Sequence, residues 1–131
     1  MKEPFEFGPS VQPIPLTKYP RVPGGIVTIS GWGGTSDFGD IPRKLQKVQI
    51  PVMQQWECKL FYKDYNITDY MLCAGRAGRS SCHGDSGGPM VYNGVQIGIV
   101  SFGLSCQRPD YPGIYASVSD LHDWIHKNSG V

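Results

Sequence analysis

A glycine-rich turn running straight into a hairpin constrains this chain more than any other feature. In Cys82-His83-Gly84-Asp85-Ser86-Gly87-Gly88-Pro89, three glycines and a proline surround one serine. Then come Met90-Val91-Tyr92, the pair Asn93-Gly94, and Val95-Gln96-Ile97-Gly98-Ile99-Val100. Asn-Gly suits a type I′ turn and the branched, apolar flanks suit strands, so an antiparallel hairpin is expected. Gly84-Asp85-Ser86-Gly87-Gly88 also fits the G-x-S-x-G elbow of α/β-hydrolases. That elbow needs a helix after its serine, and the hairpin occupying that place excludes it.

The glycines let the main chain turn sharply around Ser86 and aim successive N–H groups into one concavity. The amides of Gly84 and Ser86 are candidates for an oxyanion hole, in which each donor contributes about 2.7–4 kcal/mol to the transition state. The plainer alternative is a tight turn whose serine only caps the backbone; the length of the run favours chemistry. A serine hydroxyl is a poor nucleophile without a general base, normally a histidine oriented by a carboxylate. Of three histidines, His83 alone precedes Ser86.

Length allows one domain, burying about two-thirds of its unfolded surface. Twelve Lys+Arg against eleven Asp+Glu give a net charge of +1, which points away from nucleic acid and acidic membranes as partners. The leading residues 1–8 lack a signal-peptide core, and no stretch is long enough to span a membrane as a helix. Strands are expected at Ile26–Ser30, Leu45–Val52, Met71–Ala74, Pro89–Tyr92, Val95–Phe102 and Gly113–Ser117, with a short helix over Gln54–Tyr62. A final helix is expected with Ser119 as N-cap and Val118, Leu121, Trp124 and Ile125 at helical spacing. Six short strands between turns suggest an antiparallel barrel. Pro13 to Pro23 suits an extended surface connector.

Cys58, Cys73, Cys82 and Cys106 allow three pairings, a metal site or free thiols; without C-x-x-C doublets a metal is disfavoured. His122 and His126 lie one helical turn apart but lack the glutamate or third ligand of a metal site, so they are assigned to a polar helix face. Asn66-Ile67-Thr68 is an N-glycosylation sequon, or simply a bare surface loop.

The chain resembles the chymotrypsin-like (trypsin-fold) serine endopeptidases. The resemblance rests on Gly84–Pro89, Ile29-Ser30-Gly31-Trp32-Gly33, Met71-Leu72-Cys73-Ala74-Gly75, Ser101-Phe102-Gly103, Tyr111-Pro112-Gly113-Ile114-Tyr115 and Trp124-Ile125, in the family's order. It implies an all-β, six-stranded antiparallel Greek-key barrel, the family's second, with a C-terminal helix over residues 26–131. Residues 1–25 become the end of a first-barrel strand and a connector. The implied reaction is proteolysis of protein or peptide substrates, without cofactor or metal and open to protease inhibitors.

Residue by residue, the resemblance implies Ser86 as nucleophile, Gly84 and Ser86 as oxyanion donors, and Asp85 as the carboxylate that pairs with the amine released on activation. Ser80 maps to the pocket floor, Gly103 and Gly113 to its walls, His83 to its rim, and Ser101, Phe102 and Gly103 to the strand that pairs with substrate. A neutral floor implies large apolar or aromatic side chains rather than Lys or Arg. Phe102 replaces the family's usual tryptophan. Cys58–Cys73 and Cys82–Cys106 are the implied bridges, and the family's further bridge is replaced by Val27 and Tyr92, as in invertebrate members. Disulfides imply an oxidising, extracellular setting.

The family's histidine and aspartate lie in its first barrel, and Met1-Lys2-Glu3-Pro4-Phe5 resembles the stretch just after that aspartate. The expectation is therefore a chain incomplete at its start, needing the missing barrel for activity, with Ser86 without its base and Asp85 without its amine. An unpaired buried carboxylate costs about 3–5 kcal/mol, so the loop is expected to be zymogen-like or disordered. Loss of the first barrel is also expected to expose apolar surface. A non-catalytic binding or decoy module, or a half-protease completed by another chain, are the alternatives.

Overall fold

The computed structural model describes residues 3–19, 21–76 and 79–131. Met1 and Lys2, at the head of the segment compared with the family's first barrel, lie outside them. Six strands form one sheet: β1 (Ile26–Gly31), β2 (Gln46–Pro51), β3 (Met71–Ala74), β4 (Pro89–Tyr92), β5 (Val95–Phe102) and β6 (Gly113–Ser117). Their order is β2-β1-β4-β5-β6-β3, and every pairing is antiparallel. The sheet curls until its two outer strands meet. Val52 bridges Ala74, Met53 donates to the Cys73 carbonyl at 2.8 Å, and Gly75 donates to that of Pro51 at 3.1 Å. The expected Greek-key barrel is thereby formed, and four of the six expected strand ranges match to the residue.

Alternation builds the interior. Val27 and Ile29 of β1, Ile50 of β2, Leu72 and Ala74 of β3, Met90, Ile97, Val100 and Tyr115 pack as one buried cluster. On the outside, helix α1 (Gln55–Phe61) lies over β3 and β6, so Cys58, Tyr62, Ile67, Cys73 and Ile114 form a second core. Gln54 caps α1 through a reciprocal capping box with Glu57, which donates no proton but accepts from the Gln54 amide at 3.0 Å. The Cys58–Cys73 bridge fastens this helix to β3.

One expectation changes. Helix α2 runs over His122–Ser129 with Leu121, not Ser119, at its N-cap. The Ser117 hydroxyl donates to Asp120 at 2.5 Å and lies 3.2 Å from that of Ser119, holding 118–121 as a turn that delays the helix. Val118 is buried in that turn, whereas Trp124 on the helix is exposed, so the anticipated apolar stripe is split. The proline-rich connector is stitched down. Thr17 and Pro15 exchange hydrogen bonds with Gln96, and Arg21 reaches Asp120, Gln55 and the Asp69 carbonyl. Val27 is fully buried, and Tyr92, packed on the barrel core, lies opposite it when the β1–β4 register is continued by one pair.

Candidate active site

The turn that carries Ser86 is held by its own backbone and by β5. Asp85 N–H donates to the Cys82 carbonyl at 3.1 Å and Gly88 N–H to that of Asp85 at 2.9 Å. Gly87 and Val100 then join turn to strand: Gly87 donates to Val100 and Val100 donates back to Gly88, each at 2.9 Å. Gly84 and Gly87 adopt φ of +93° and +81°, which a side chain strains. Ser86 is left exposed. Among the described residues, the amides of Gly84 and Ser86 donate no hydrogen bond, so two N–H groups beside the hydroxyl are free.

Asp85 supports this turn from beneath. Its carboxylate is half-buried and accepts from Gly33 N–H at 2.8 Å and from Cys82 N–H at 3.0 Å. The expected orphan carboxylate is corrected: two backbone amides satisfy it, and the turn is built. The role of Ile29–Gly33 follows. A Cβ added at Gly31 or Gly33 runs into the Asp85 carboxylate, and one at Gly84 meets the Gly33 Cα at 3.1 Å. Gly34 N–H adds a bond to the His83 carbonyl at 2.9 Å.

Ser86 opens onto a cleft of about 470 Å³ between the Ser81–His83 segment and the Ser101–Cys106 segment. The Cys82–Cys106 bridge ties these walls together, with Cα atoms 5.1 Å apart. A register shift between Val100 and Phe102 leaves Ser101 as an extra residue against β6. Such bulges re-aim side chains next to sites. His83, Ser101, Phe102 and Gly103 all border the cleft. Ser80 and Gly113 do not: Ser80 borders a neighbouring cavity of about 200 Å³ with Asp85 and Gly31, and Gly113 lies behind Gly103.

Three residues to which the sequence reading gives no part in the site belong here. Tyr115 is fully buried, and its hydroxyl accepts from Ser81 Oγ at 3.1 Å and Ser81 N–H at 3.3 Å. Burial pushes its pKa up to about 12, partly opposed by those bonds. A Cβ at Gly113 lies 2.6 Å from that hydroxyl, so the glycine makes room for the tyrosine. Asp37 and Phe38 form the third side of the cleft. Asp37 is held 68 and 69 residues away in sequence, accepting from Ser105 Oγ at 2.5 Å and from Cys106 N–H at 2.7 Å. Only the partner pattern around Ser105 and Cys106, invisible locally, identifies it.

Among the described residues, the Ser86 hydroxyl has no hydrogen-bond partner. His83 directs Nδ1 to the Cys82 sulfur at 3.5 Å, while His122 and His126 stack face to face on α2 with centroids 6.4 Å apart. Potential metal-ligand atoms gather at Asp37, Cys82 and Cys106, but the two sulfurs are bonded to each other. Asn66 is exposed in the turn after α1. Among the described residues, no helix is long and apolar enough to cross a membrane.

A closed antiparallel barrel with a serine lodged between two positive-φ glycines, stapled beside a cleft, defines the serine-bearing barrel of a chymotrypsin-like protease. Comparison gives the family. A family model described as Trypsin matches residues 1–125. The chain is 41% identical over 133 residues to a vitellin-degrading protease of Bombyx mori, covering 98% of this chain and 50% of that protein. It is 43% identical over 129 residues to trypsin-1 of Astacus astacus, covering 94% and 54%. The structure of neuropsin, a serine protease expressed in the limbic system of mouse brain, matches with a TM-score of 0.89 at 36% identity, covering 94% and 56%. The chain belongs to the trypsin family of serine proteases. It spans about half the length of the relatives it matches.

Proposed function

We propose that this chain is the serine-bearing half of an extracellular serine endopeptidase. Residues 26–131 supply the second barrel, and residues 1–25 lead in from a first barrel that provides the histidine and aspartate. The observation that carries the reading is an exposed Ser86 flanked by the unengaged amides of Gly84 and Ser86 at the mouth of the cleft.

In this reading Ser86 attacks the scissile carbonyl and the two amides hold the oxyanion. The peptide lies along Ser101–Gly103 as an added strand. His83 forms the rim and Gly103 a wall of the cleft, which favours large apolar or aromatic side chains; Ser80 and Gly113 act from outside that lining, Ser80 by bringing no charge and Gly113 by bringing no bulk behind Gly103. On activation Asp85 exchanges its amide partners for a newly released N-terminal amine. Asn66 accepts a glycan, and the two disulfides suit an oxidising compartment. Protein substrates and protease inhibitors are the partners of the completed enzyme.

Alone, the chain is inactive, since loss of the base from such a serine costs about 10⁶ in turnover. Fusion to the first barrel of the Astacus trypsin is expected to cleave peptides after aromatic residues, and Ser86→Ala is expected to abolish it. The unfused chain is expected to resist labelling by a fluorophosphonate; rapid labelling would reveal a base within this chain. The partnerless Ser86 hydroxyl favours one second reading, a peptide-binding module without catalysis. An inactive fusion that still binds peptide supports that module.

A further inference from the structure

The cleft beside Ser86 has an electrostatic asymmetry. Among the described residues lining it, Asp37 is the one carboxylate, and no lysine or arginine joins it. The carboxylate is also fixed in place. Ser105 Oγ accepts from Gln107 N–H at 3.2 Å and Arg108 N–H at 3.1 Å, which leaves its own proton for Asp37; Cys106 N–H holds the other carboxylate oxygen. These bonds, the serine's first, lower the Asp37 pKa, with His83 and Arg108 adding to the effect. Arg108 does not neutralise the site: its guanidinium pairs with Asp110 and lies 4.6 Å over the Tyr111 ring. The donors to Asp37 are a neutral hydroxyl and a neutral amide, so a full negative charge remains at the cleft. Phe38 beside it is exposed and offers an apolar face.

We propose that Asp37 is a specificity-determining residue: the cleft selects peptides that set a lysine or arginine at its mouth, stem on Phe38 and cation toward Asp37, next to the bulky apolar side chain taken inside. This rests on the peptide-binding reading above and adds a basic residue to the substrate class. It also places a charge preference on a loop outside the pocket floor, where Ser80 is neutral. The bonds from Ser105 and Cys106 pre-organise the carboxylate, so little ordering is needed when a cation arrives.

The test uses the folded, disulfide-bonded chain and acetylated hexapeptides that share one phenylalanine and differ at the adjacent residue: lysine, norleucine or glutamate. Calorimetric binding is expected to rank lysine above norleucine above glutamate, by about two- to five-fold per step for a partly exposed charge. Asp37→Asn keeps a carbonyl acceptor for the Cys106 amide and is expected to bring lysine and norleucine together. Asp37→Ala is expected to do the same and also to speed amide exchange at Cys106. On the unmutated chain, raising salt to about 0.5 M is expected to shrink the lysine advantage, a readout that needs no variant. Equal binding of lysine and norleucine peptides, or an advantage surviving both Asp37→Asn and salt, overturns the proposal while leaving peptide binding intact. Failure of every peptide to bind overturns both readings.

Discussion

The two disulfides sit in opposite surroundings. Cys58–Cys73 is buried on both sides, among Tyr62, Ile67 and Ile114, where α1 covers the barrel. Cys82–Cys106 is half-exposed, among His83, Ser105 and the Asp37 carboxylate, where loops meet around a cleft. One link is set in apolar packing and fixes a helix to a strand. The other is set among polar side chains and fixes the spacing of two walls. Loss of the first is therefore expected to act on the whole fold, and loss of the second on local order.

The largest effect tests that contrast directly. Replacing Cys58 and Cys73 together with alanine is expected to lower unfolding free energy by about 2–5 kcal/mol in urea titrations. The Cys82 and Cys106 pair is expected to cost less globally but to raise amide exchange over 33–39 and 82–86. If both pairs give one global loss and no local change, the two regions are not energetically distinct.

Tyr115 lies where the regions join, with its ring in the core and its hydroxyl under Ser81. Its pKa is raised from 10.0 to about 12, so folding favours the protonated phenol. Stability is then complete below pH 10 and falls as pH climbs toward 12, by on the order of 2–3 kcal/mol. Tyr115→Phe is expected to flatten that alkaline limb, as seen in denaturation midpoints across pH. Asp85→Ala is expected to cost about 1.5–3 kcal/mol, the value of hydrogen bonds to a charged group, and to loosen the Ser86 turn in exchange experiments. The smallest effect is confined to the cleft. Because the folded Asp37 pKa is depressed, its clasp is present above the ordinary carboxylate range and is released as acid takes pH through the lowered value. Faster Cys106 amide exchange in acid, without a change in the global midpoint, is the expected signature.

The same divide governs what the residues disclose before folding. Strands were legible because Asn93-Gly94 and the glycine and proline punctuation mark their ends, and because alternation puts Val27 and Ile29 on one face. Ser86 and its glycines were legible as one contiguous run. The start of α2 was not, because Ser117, Ser119 and Asp120 bond among themselves and hold back the helix that Ser119 is spaced to cap. Tyr115 looked like any strand aromatic, since its role comes from Ser81, 34 residues away. Asp37 was hidden for the same reason, its partners being brought close only by barrel closure and the second disulfide. Local chemistry shows in a local pattern; a cleft wall assembled from distant loops does not.

The seam of the barrel bears on how copies of this chain meet one another. β2 pairs with β1 along its length but reaches β3 only at Pro51, Val52 and Met53, so its other edge is open from Gln46 to Gln49. An open strand edge is a template for intermolecular pairing. Here that edge shows exposed Gln46, Lys47 and Gln49, with Lys44 just before it. A second copy docking there would bring lysine against lysine and desolvate the ammonium groups. Resistance to fibrous, strand-by-strand assembly is thus written into a stretch of sheet that the barrel leaves unsealed.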